Sequence, residues 1–215
     1  MMQFTDAERE QIKQTVQQAE RSTKGEIVPM IVPAAAIYRE AGYRTGLILA
    51  LLTLAVLLTL ELYWLPWGWH AGNAGWLMLA VVVAYGIGQW VGTFPSIIRL
   101  VTSRARMAYK VKLRAEQAFY QHGLNNTKDR TGILILISLL ERRVHVLADK
   151  GLNDRVPSGT WDGLVSGILG GMRTGNATDA ICDAITKSGE LLSRVSPAGS
   201  GDNPDELPDR LIQEP

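Results

Sequence analysis

An almost uncharged stretch in the first half of the chain is its most restrictive feature. Residues 45–98 contain one formally charged side chain, Glu61, although Lys, Arg, Asp and Glu make up 20% of the chain as a whole. Two apolar segments lie within this stretch, at about 45–65 and 75–94. As a helix, each is long enough to cross the roughly 30 Å hydrocarbon layer of a bilayer. We therefore predict a transmembrane helical hairpin over residues 45–98.

The residues on either side of the hairpin predict its orientation. Arg39 and Arg44 precede it, and the turn at 63–76 carries four tryptophans but no Lys or Arg. Six basic residues follow the hairpin before the first acid: Arg99, Arg104, Arg106, Lys110, Lys112 and Arg114. Lys and Arg mark cytoplasmic loops, and Trp favours the membrane–water interface. The pattern predicts a two-pass protein of the inner (plasma) membrane with both termini in the cytoplasm. The alternative, two buried core helices, would need a soluble domain large enough to enclose both.

Composition excludes several other classes of protein. The formal net charge of +1 provides no global field for nucleic acid, so we expect no nucleic-acid partner. The single cysteine, Cys182, excludes an internal disulfide and a multi-cysteine metal site. Residues 1–26 lack an apolar signal core, so the hairpin itself is expected to direct insertion. The basic run at 99–114 has two interpretations, a topology signal or a surface for anionic lipid headgroups.

The flanks of the hairpin contain a regular series of predicted elements. Thr5-Asp-Ala-Glu8 has the pattern of a capping box that opens a helix over 5–22, and Gly25 is available as a left-handed cap. A strand at 26–32 follows, in which Pro29 favours an edge strand or a bulge. Beyond the hairpin the pattern predicts a helix at 102–122, strands at 132–138 and 143–148, and helices near 160–173 and 177–194.

This order of elements predicts the fold class. Without the hairpin the chain reads strand, helix, strand, which is a right-handed crossover between parallel strands. The strand at 143–148 then adds antiparallel through a short turn. We predict an α/β protein, a small sandwich with a mixed sheet, built from residues 1–36 and 101–195 and interrupted after its first strand by the hairpin. Residues 196–215 are predicted to form a disordered acidic tail, with 207–212 as an alternative docking motif.

Glycines in two helices suggest close packing. Gly86, Gly88 and Gly92 are candidates for packing membrane helices together. Another four, Gly163, Gly167, Gly170 and Gly171, lie in the helix near 160–173. Each costs about 1 kcal/mol relative to Ala inside a helix. Four of them indicate either close approach by a neighbour or a loosely held helix.

Four local sequences resemble the TPM-domain family. They are Phe4-Thr-Asp-Ala-Glu8, Thr23-Lys-Gly-Glu26-Ile-Val, Asp129-Arg-Thr-Gly132-Ile-Leu-Ile-Leu, and Arg143-Val-His-Val-Leu-Ala-Asp149-Lys-Gly151-Leu, and the resemblance spans residues 4–32 and 103–194. In outline the chain is similar to a bacterial branch of membrane proteins in which a transmembrane hairpin interrupts the domain. The resemblance implies a TPM-like α/β/α sandwich in a bacterial inner membrane. Family members include thylakoid proteins tied to photosystem II repair, a proposed acid phosphatase and an accessory subunit of a ligand-gated channel, and several bind calcium.

Acids near the strand ends are the candidate metal ligands. Asp129 precedes one strand, while Asp149 and Asp154 follow its antiparallel neighbour, so the strand pair brings them to the same end of the sheet. We predict a cation site formed by Asp129, Asp149 and Asp154 with the backbone carbonyl of Asn153, and the candidate ions are Ca²⁺ and Mg²⁺. The alternative is that these acids are solvated turn residues and helix caps. No catalytic or cofactor-binding residue is predicted.

The sequence therefore favours a non-enzymatic binding or assembly module, tethered to the cytoplasmic face by its hairpin. Its predicted partners are the lipid bilayer and either another membrane protein or a second copy of the chain. One alternative is a metal-dependent phosphatase, with phosphate clamps drawn from Arg130, Arg142, Arg143 and Lys150. The other is a subunit of a small membrane channel or transporter.

Overall fold

The computed structural model describes residues 4–63, 73–157, 159–198 and 211–213. In chain order the elements are α1 (Asp6–Glu20), β1 (Ile27–Val32), α2 (Arg39–Tyr63), α3 (Asn73–Val91), α4 (Pro95–Val101), α5 (Arg104–Gln121), a 3-10 turn (Leu124–Asn126), β2 (Ile133–Ser138), β3 (Arg143–Ala148), α6 (Lys150–Asn153), α7 (Thr160–Thr174), α8 (Ala177–Val195) and β4 (Ile212–Gln213). They form two compact units, one of residues 1–36 with 108–215 and one of residues 37–107.

A four-stranded mixed sheet in the order β3-β2-β1-β4 forms the middle of the first unit. Strands β1 and β2 pair in parallel, with Ile27 opposite Ile133, and β3 pairs antiparallel with β2, with Ala148 opposite Ile133. Short β4 runs parallel to β1. This is the parallel crossover and antiparallel addition that the sequence predicts, so the fold class is confirmed.

Both faces of the sheet are covered, because its strands alternate their side chains between two apolar clusters. On β2, Ile133, Ile135 and Ile137 face a cluster built with α1, α7 and α8. Leu134 and Leu136 face a second cluster built with α5. All six residues of β1 and all six of β2 are buried, as expected for strands covered on both faces. The result is an α/β/α sandwich.

The C-terminal part of the chain differs from the prediction. Residues 196–215 are predicted to be disordered, but Ile212 and Gln213 form β4, opposite Met30 and Ile31. The sequence 207–212 thus ends in a segment that docks on the sheet, whereas 199–210 lie outside the described residues. Strand β4 pairs with Met30 and Ile31, so β1 lies between two strands there, whereas Pro29 pairs with Ile135 of β2 at a position that β4 does not cover, in agreement with its edge-strand interpretation. Pro29 itself has no partner residue on the two-residue β4 among the described pairs, which is where a missing N–H is tolerated.

The second unit contains the two apolar helices. Helix α2 begins at Arg39, six residues before the predicted start of the apolar segment, and α3 ends at Val91. Both are long and apolar enough to span a membrane, and only 11% and 17% of their most apolar windows are buried. Large apolar side chains are open on both helices, including Leu51 at 56% and Met78 at 70% exposure. The helices are thus not the enclosed core helices of the alternative interpretation. The tryptophan-rich turn falls mainly on 64–72, outside the described residues.

Glycines allow α2 and α3 to pack backbone to backbone. A methyl group on Gly88 would lie 2.7 Å from Cα of Gly46, and one on Gly92 would lie 2.5 Å from Cα of Gly42. Ala50 and Ala84 continue the two small-residue rows and are buried. The prediction for Gly88 and Gly92 is confirmed. A methyl group on Gly86 would meet nothing within 4 Å, so Gly86 takes no part in the contact between α2 and α3.

Candidate functional site

The end of the sheet where β1 and β2 begin and β3 ends holds the predicted acids. The turn before β2 contains Asp129, and Asp149 follows β3, where its N–H donates to the carbonyl of Gly132 at 2.9 Å. A methyl group on Gly151 would lie 2.8 Å from the carbonyl oxygen of Arg130, so the first turn of α6 rests on the 129–130 turn. The amino ends of the parallel strands, and not their carboxyl ends, therefore form this site.

Hydrogen bonds to backbone carbonyls fix the segment that leads into β1. The Thr23 hydroxyl and the Lys24 N–H both donate to the carbonyl of Ser196, at 2.7 and 3.2 Å. The Thr131 hydroxyl donates to the carbonyl of Lys24 at 3.1 Å. Gly25 has little space here, because a methyl group would lie 2.6 Å from Cδ2 of Leu192 and 3.0 Å from the carbonyl oxygen of Thr131. Gly25 is not a left-handed helix cap, since α1 ends in a right-handed residue, Arg21.

Asp129 pairs with Lys24 at this end of the sheet. Nζ of Lys24 lies 3.4 Å from Oδ2 of Asp129, and both side chains are 43% exposed. An ion pair as open as this contributes little to stability. The pair lines an open cleft of about 410 Å³ together with Arg155 and residues 195–198. The cleft therefore presents two cations and one carboxylate.

Asp149 is the most constrained of the three acids. It caps α6, with Oδ1 accepting from the N–H of Lys150 at 2.6 Å. Its other oxygen, Oδ2, is buried and has no hydrogen-bond partner among the described residues. An inaccessible oxygen without a donor is costly, so a cation or donor at this atom would be stabilising.

Asp154 and Asn153 lie at the opposite end of α6 from Asp149. Asp154 is the exposed C-terminal cap of that helix, and its N–H donates to the carbonyl of Lys150. The side-chain oxygen of Asn153 accepts from Nε1 of Trp161 at 3.4 Å. Within the described residues, His, Cys, Asp and Glu form no group of three or more that could hold a metal ion. The three-aspartate site stays a prediction.

The basic residues considered as phosphate clamps are divided between the two ends of the sheet. Arg143 pairs with Ser138 at the far end of the β2–β3 hairpin, next to Arg142, whereas Arg130 and Lys150 flank its open end. Each strand has six residues, which separates the ends by roughly 17 Å. These four side chains are therefore not a single clamp.

A buried acid that the sequence analysis missed lies at the carboxyl ends of the parallel strands. Glu141 is 6% exposed. Its Oε1 accepts from the N–H of Ala35 at 3.0 Å, and its Oε2 accepts from the hydroxyl of Ser138. The sequence feature that could have identified Glu141 is its position as the single acid in the turn between two strands. It ties the chain just beyond β1 to that turn, which is a structural role.

Two nucleophilic or titratable side chains have shifted acidities for reasons of packing. Burial raises the pKa of the Cys182 thiol above its usual value, with Asp179 adding to the effect, so the thiolate is disfavoured. Burial, followed by the positive charge of Lys112, lowers the pKa of His145, while Glu116 opposes the shift. Cys182 packs against the core cluster on the α1 side of the sheet, in agreement with its interpretation as a core residue.

Fold and site together define an α/β/α domain whose chain is interrupted after its first strand by a two-helix apolar hairpin. The family model described as the TPM domain matches residues 96–191. The resemblance to the TPM-domain family is thereby confirmed for residues 96–191. An NMR structure of the BA42 protein from the psychrophilic bacterium Bizionia argentinensis has a similar fold, with a TM-score of 0.60, 20% sequence identity, and coverage of 99% of this chain and 97% of that one. A search of curated protein sequences finds no match.

Proposed function

We propose that this chain is a membrane-anchored TPM-domain protein that serves as a binding or assembly module on the cytoplasmic face of a bacterial inner membrane. The observation that carries the proposal is the pair of helices α2 and α3. They pack tightly on each other through Gly42, Gly46, Gly88 and Gly92, yet leave large apolar side chains open over their whole described length. Contact of that apolar surface with lipid tails costs no free energy, whereas its exposure to water is unfavourable.

The packing of the helices supports a membrane environment in a second way. Gln89 has the one amide side chain of α3 that lies outside the first turn of the helix. Its Nε2 donates to the hydroxyl of Tyr85 at 2.9 Å. On α2, the hydroxyls of Thr45 and Thr59 donate to carbonyls one turn back. Polar groups satisfied within their own helix are what a hydrocarbon environment requires.

The partner is proposed to be another membrane protein or a second copy of this chain. The full chain, solubilised in mild detergent and captured by an affinity tag at its C-terminus, should bring down a companion in fixed stoichiometry or elute as an oligomer. A matched control carries Gly88→Leu, which separates α2 from α3 without touching the α/β domain. Repeated recovery of a monomer alone from the unaltered chain would contradict the assembly role.

A divalent cation site around Asp149 is a second proposal, favoured by the buried and unpartnered Oδ2 of that residue. The full chain in detergent, titrated with Ca²⁺ and Mg²⁺, should show saturable heat and a raised melting temperature. Both should disappear in Asp149→Asn and persist in Glu190→Gln, a change at an exposed acid of α8. Binding that survives Asp149→Asn would remove this site, and with it the basis for a metal-dependent phosphatase.

A further inference from the structure

Aromatic side chains surround the end of the hairpin where α2 begins and α3 ends. Gly42 packs on Gly92 there, which places the first turn of α2 beside the last turn of α3. Tyr43, Trp90 and Phe94 are exposed at this level, by 57%, 66% and 45%, and the rings of Trp90 and Phe94 meet edge to face at 5.1 Å. We call these three residues the aromatic belt. Tyr and Trp rings favour the headgroup layer, where an apolar body and a polar tip are both accommodated, and the phenyl ring of Phe94 adds apolar surface beside them.

Five arginines lie close in sequence to the aromatic belt. We call Arg39, Arg44, Arg99, Arg104 and Arg106 the arginine collar. Two contacts bring the collar together: Nη1 of Arg44 donates to the carbonyl of Val101 at 3.3 Å, and Nη2 of Arg106 lies 2.7 Å from Oε1 of Glu40. Residues 37–60 and 99–107 contain these five arginines and one acid, Glu40, which is a formal charge of +4. The collar has an excess of positive charge.

The choice of cation within the collar is informative. Residues 37–107 contain five arginines and no lysine, although lysine is present on both sides, at Lys24 and Lys110. A topology signal alone would be served equally by Lys or Arg. The guanidinium group differs in offering a planar fork of donors that matches two oxygens of a phosphate. The composition of the collar therefore favours phosphate recognition.

Apolar side chains are open at the same level as the collar. Ile37 and Leu100 are 79% and 81% exposed; Ile37 lies two residues before Arg39, and Leu100 directly follows Arg99. A free phosphate would neutralise the arginines but leave these side chains and the belt in water. A phospholipid supplies an anionic headgroup and acyl chains together, which covers both kinds of surface.

We infer that the arginine collar and aromatic belt form a binding site for phospholipids with an anionic headgroup. The inference rests on the proposed function, since it requires the hairpin to be inserted in a bilayer. It adds that the inserted hairpin binds anionic lipids selectively at the end where α2 begins and α3 ends. The collar arginines bind the phosphates, and Tyr43, Trp90 and Phe94 bind the glycerol and upper acyl region.

The test compares lipids that differ in headgroup charge alone. The full chain in nonionic detergent micelles is titrated with phosphatidylglycerol or phosphatidylcholine of identical acyl chains, and bound lipid is counted by native mass spectrometry. Glycerol 3-phosphate and inorganic phosphate serve as soluble probes. We expect phosphatidylglycerol to bind about 10-fold more tightly than phosphatidylcholine, from a few charge contacts at the headgroup. Weak or undetectable binding is expected for the soluble probes.

Variants of two collar residues test which side chains are responsible. Arg39→Gln with Arg99→Gln should reduce the preference for phosphatidylglycerol to less than about 3-fold, and the corresponding lysine pair should retain an intermediate preference. Arg39 is the first residue of α2, where a cation opposes the helix dipole, so its loss does not weaken the helix. Lys13→Gln with Arg173→Gln removes the same charge from the α/β domain and should leave the preference unchanged.

Three results would overturn the inference: equal binding of both lipids by the unaltered chain, an unchanged preference in the glutamine pair, or binding of the soluble phosphates as tight as that of phosphatidylglycerol. Reconstitution into pure phosphatidylcholine vesicles separates this inference from the proposed function. Stable insertion there without any lipid preference contradicts the binding site alone. Failure to insert into vesicles of either lipid contradicts the membrane anchor itself.

Discussion

Gly46 and Gly88 face each other across the apolar hairpin, and Gly88 has no room for a side chain. A methyl group on Gly88 would lie 2.7 Å from Cα of Gly46 and 2.8 Å from the carbonyl oxygen of Thr45. Both neighbours are backbone atoms, which cannot turn aside as a flexible side chain would. The hairpin is therefore held by close contact of two helix backbones, the arrangement that small residues four apart permit.

The first prediction follows from this contact. Gly88→Leu should separate α2 and α3 and destabilise the hairpin by about 1–3 kcal/mol, the usual cost of overpacking. Gly86→Leu places the same side chain two residues away, where a methyl group meets nothing within 4 Å, and should be tolerated. Melting of the full chain in detergent measures both. Equal melting temperatures for the two variants would contradict the helix contact.

A second matched pair of glycines lies in α7. Gly167 is exposed and a methyl group there meets nothing within 4 Å, so Gly167→Ala should stabilise the domain by about 0.5–1 kcal/mol through helix propensity. A methyl group on Gly171 would collide with Cβ of Ala180, so Gly171→Ala should destabilise. Denaturant unfolding gives the sign of each change. Stabilisation by both alanine substitutions would contradict the close contact of Gly171 with Ala180 of α8.

The four glycines of α7 show what a sequence pattern leaves undecided. Their density predicts either close approach or a loosely held helix, and the structure contains both: Gly171 is in close contact with α8, while Gly163, Gly167 and Gly170 are open. Spacing along a helix identifies a face, but it does not identify what covers that face. The same holds for Gly25. Its position after α1 suggests a helix cap, whereas in the structure it packs closely against Leu192.

Elements with strong local signals were predictable to within two or three residues. Strand β3 runs from Arg143 to Ala148 as predicted, and α8 differs by a residue at its end. Short β4 was missed because a two-residue strand has no period of its own and depends on pairing with Met30 and Ile31. Glu141 was missed for a similar reason, since its partners Ala35 and Ser138 meet only in the fold.

The third prediction concerns this buried acid. Glu141→Ala removes the acceptor for the N–H of Ala35 and for the hydroxyl of Ser138, which leaves a buried donor unsatisfied. We expect a loss of about 1–3 kcal/mol in the free energy of unfolding. The exposed acid Glu190 supplies the control, because Glu190→Ala should change stability by less than about 0.5 kcal/mol. A loss no larger than that of the control would mean that Glu141 is not structural.

The fourth prediction concerns the dependence of stability on pH. The pKa of His145 is lowered from 6.5, chiefly by burial and then by Lys112, while Glu116 opposes the shift. Below about pH 6.5 the unfolded chain therefore binds a proton more readily than the folded chain at this position. This contribution makes the protein less stable as the pH falls below that value and is constant above it. In His145→Gln the melting temperature should fall less between pH 7.5 and 5.5 than in the unaltered chain. An identical fall in both would exclude this histidine.

The anchoring of the TPM domain by its hairpin is the central claim, and impermeant labelling in spheroplasts tests it most directly. In a Cys182→Ser background, a single cysteine is placed either in the tryptophan-rich segment, as His70→Cys, or at a partly exposed position of α1, as Lys13→Cys. A membrane-impermeant maleimide should label His70→Cys in intact spheroplasts and Lys13→Cys only after permeabilisation, with both proteins resisting alkaline extraction. Release of the protein at alkaline pH, or labelling of Lys13→Cys in intact spheroplasts, would contradict a two-pass anchor with a cytoplasmic domain.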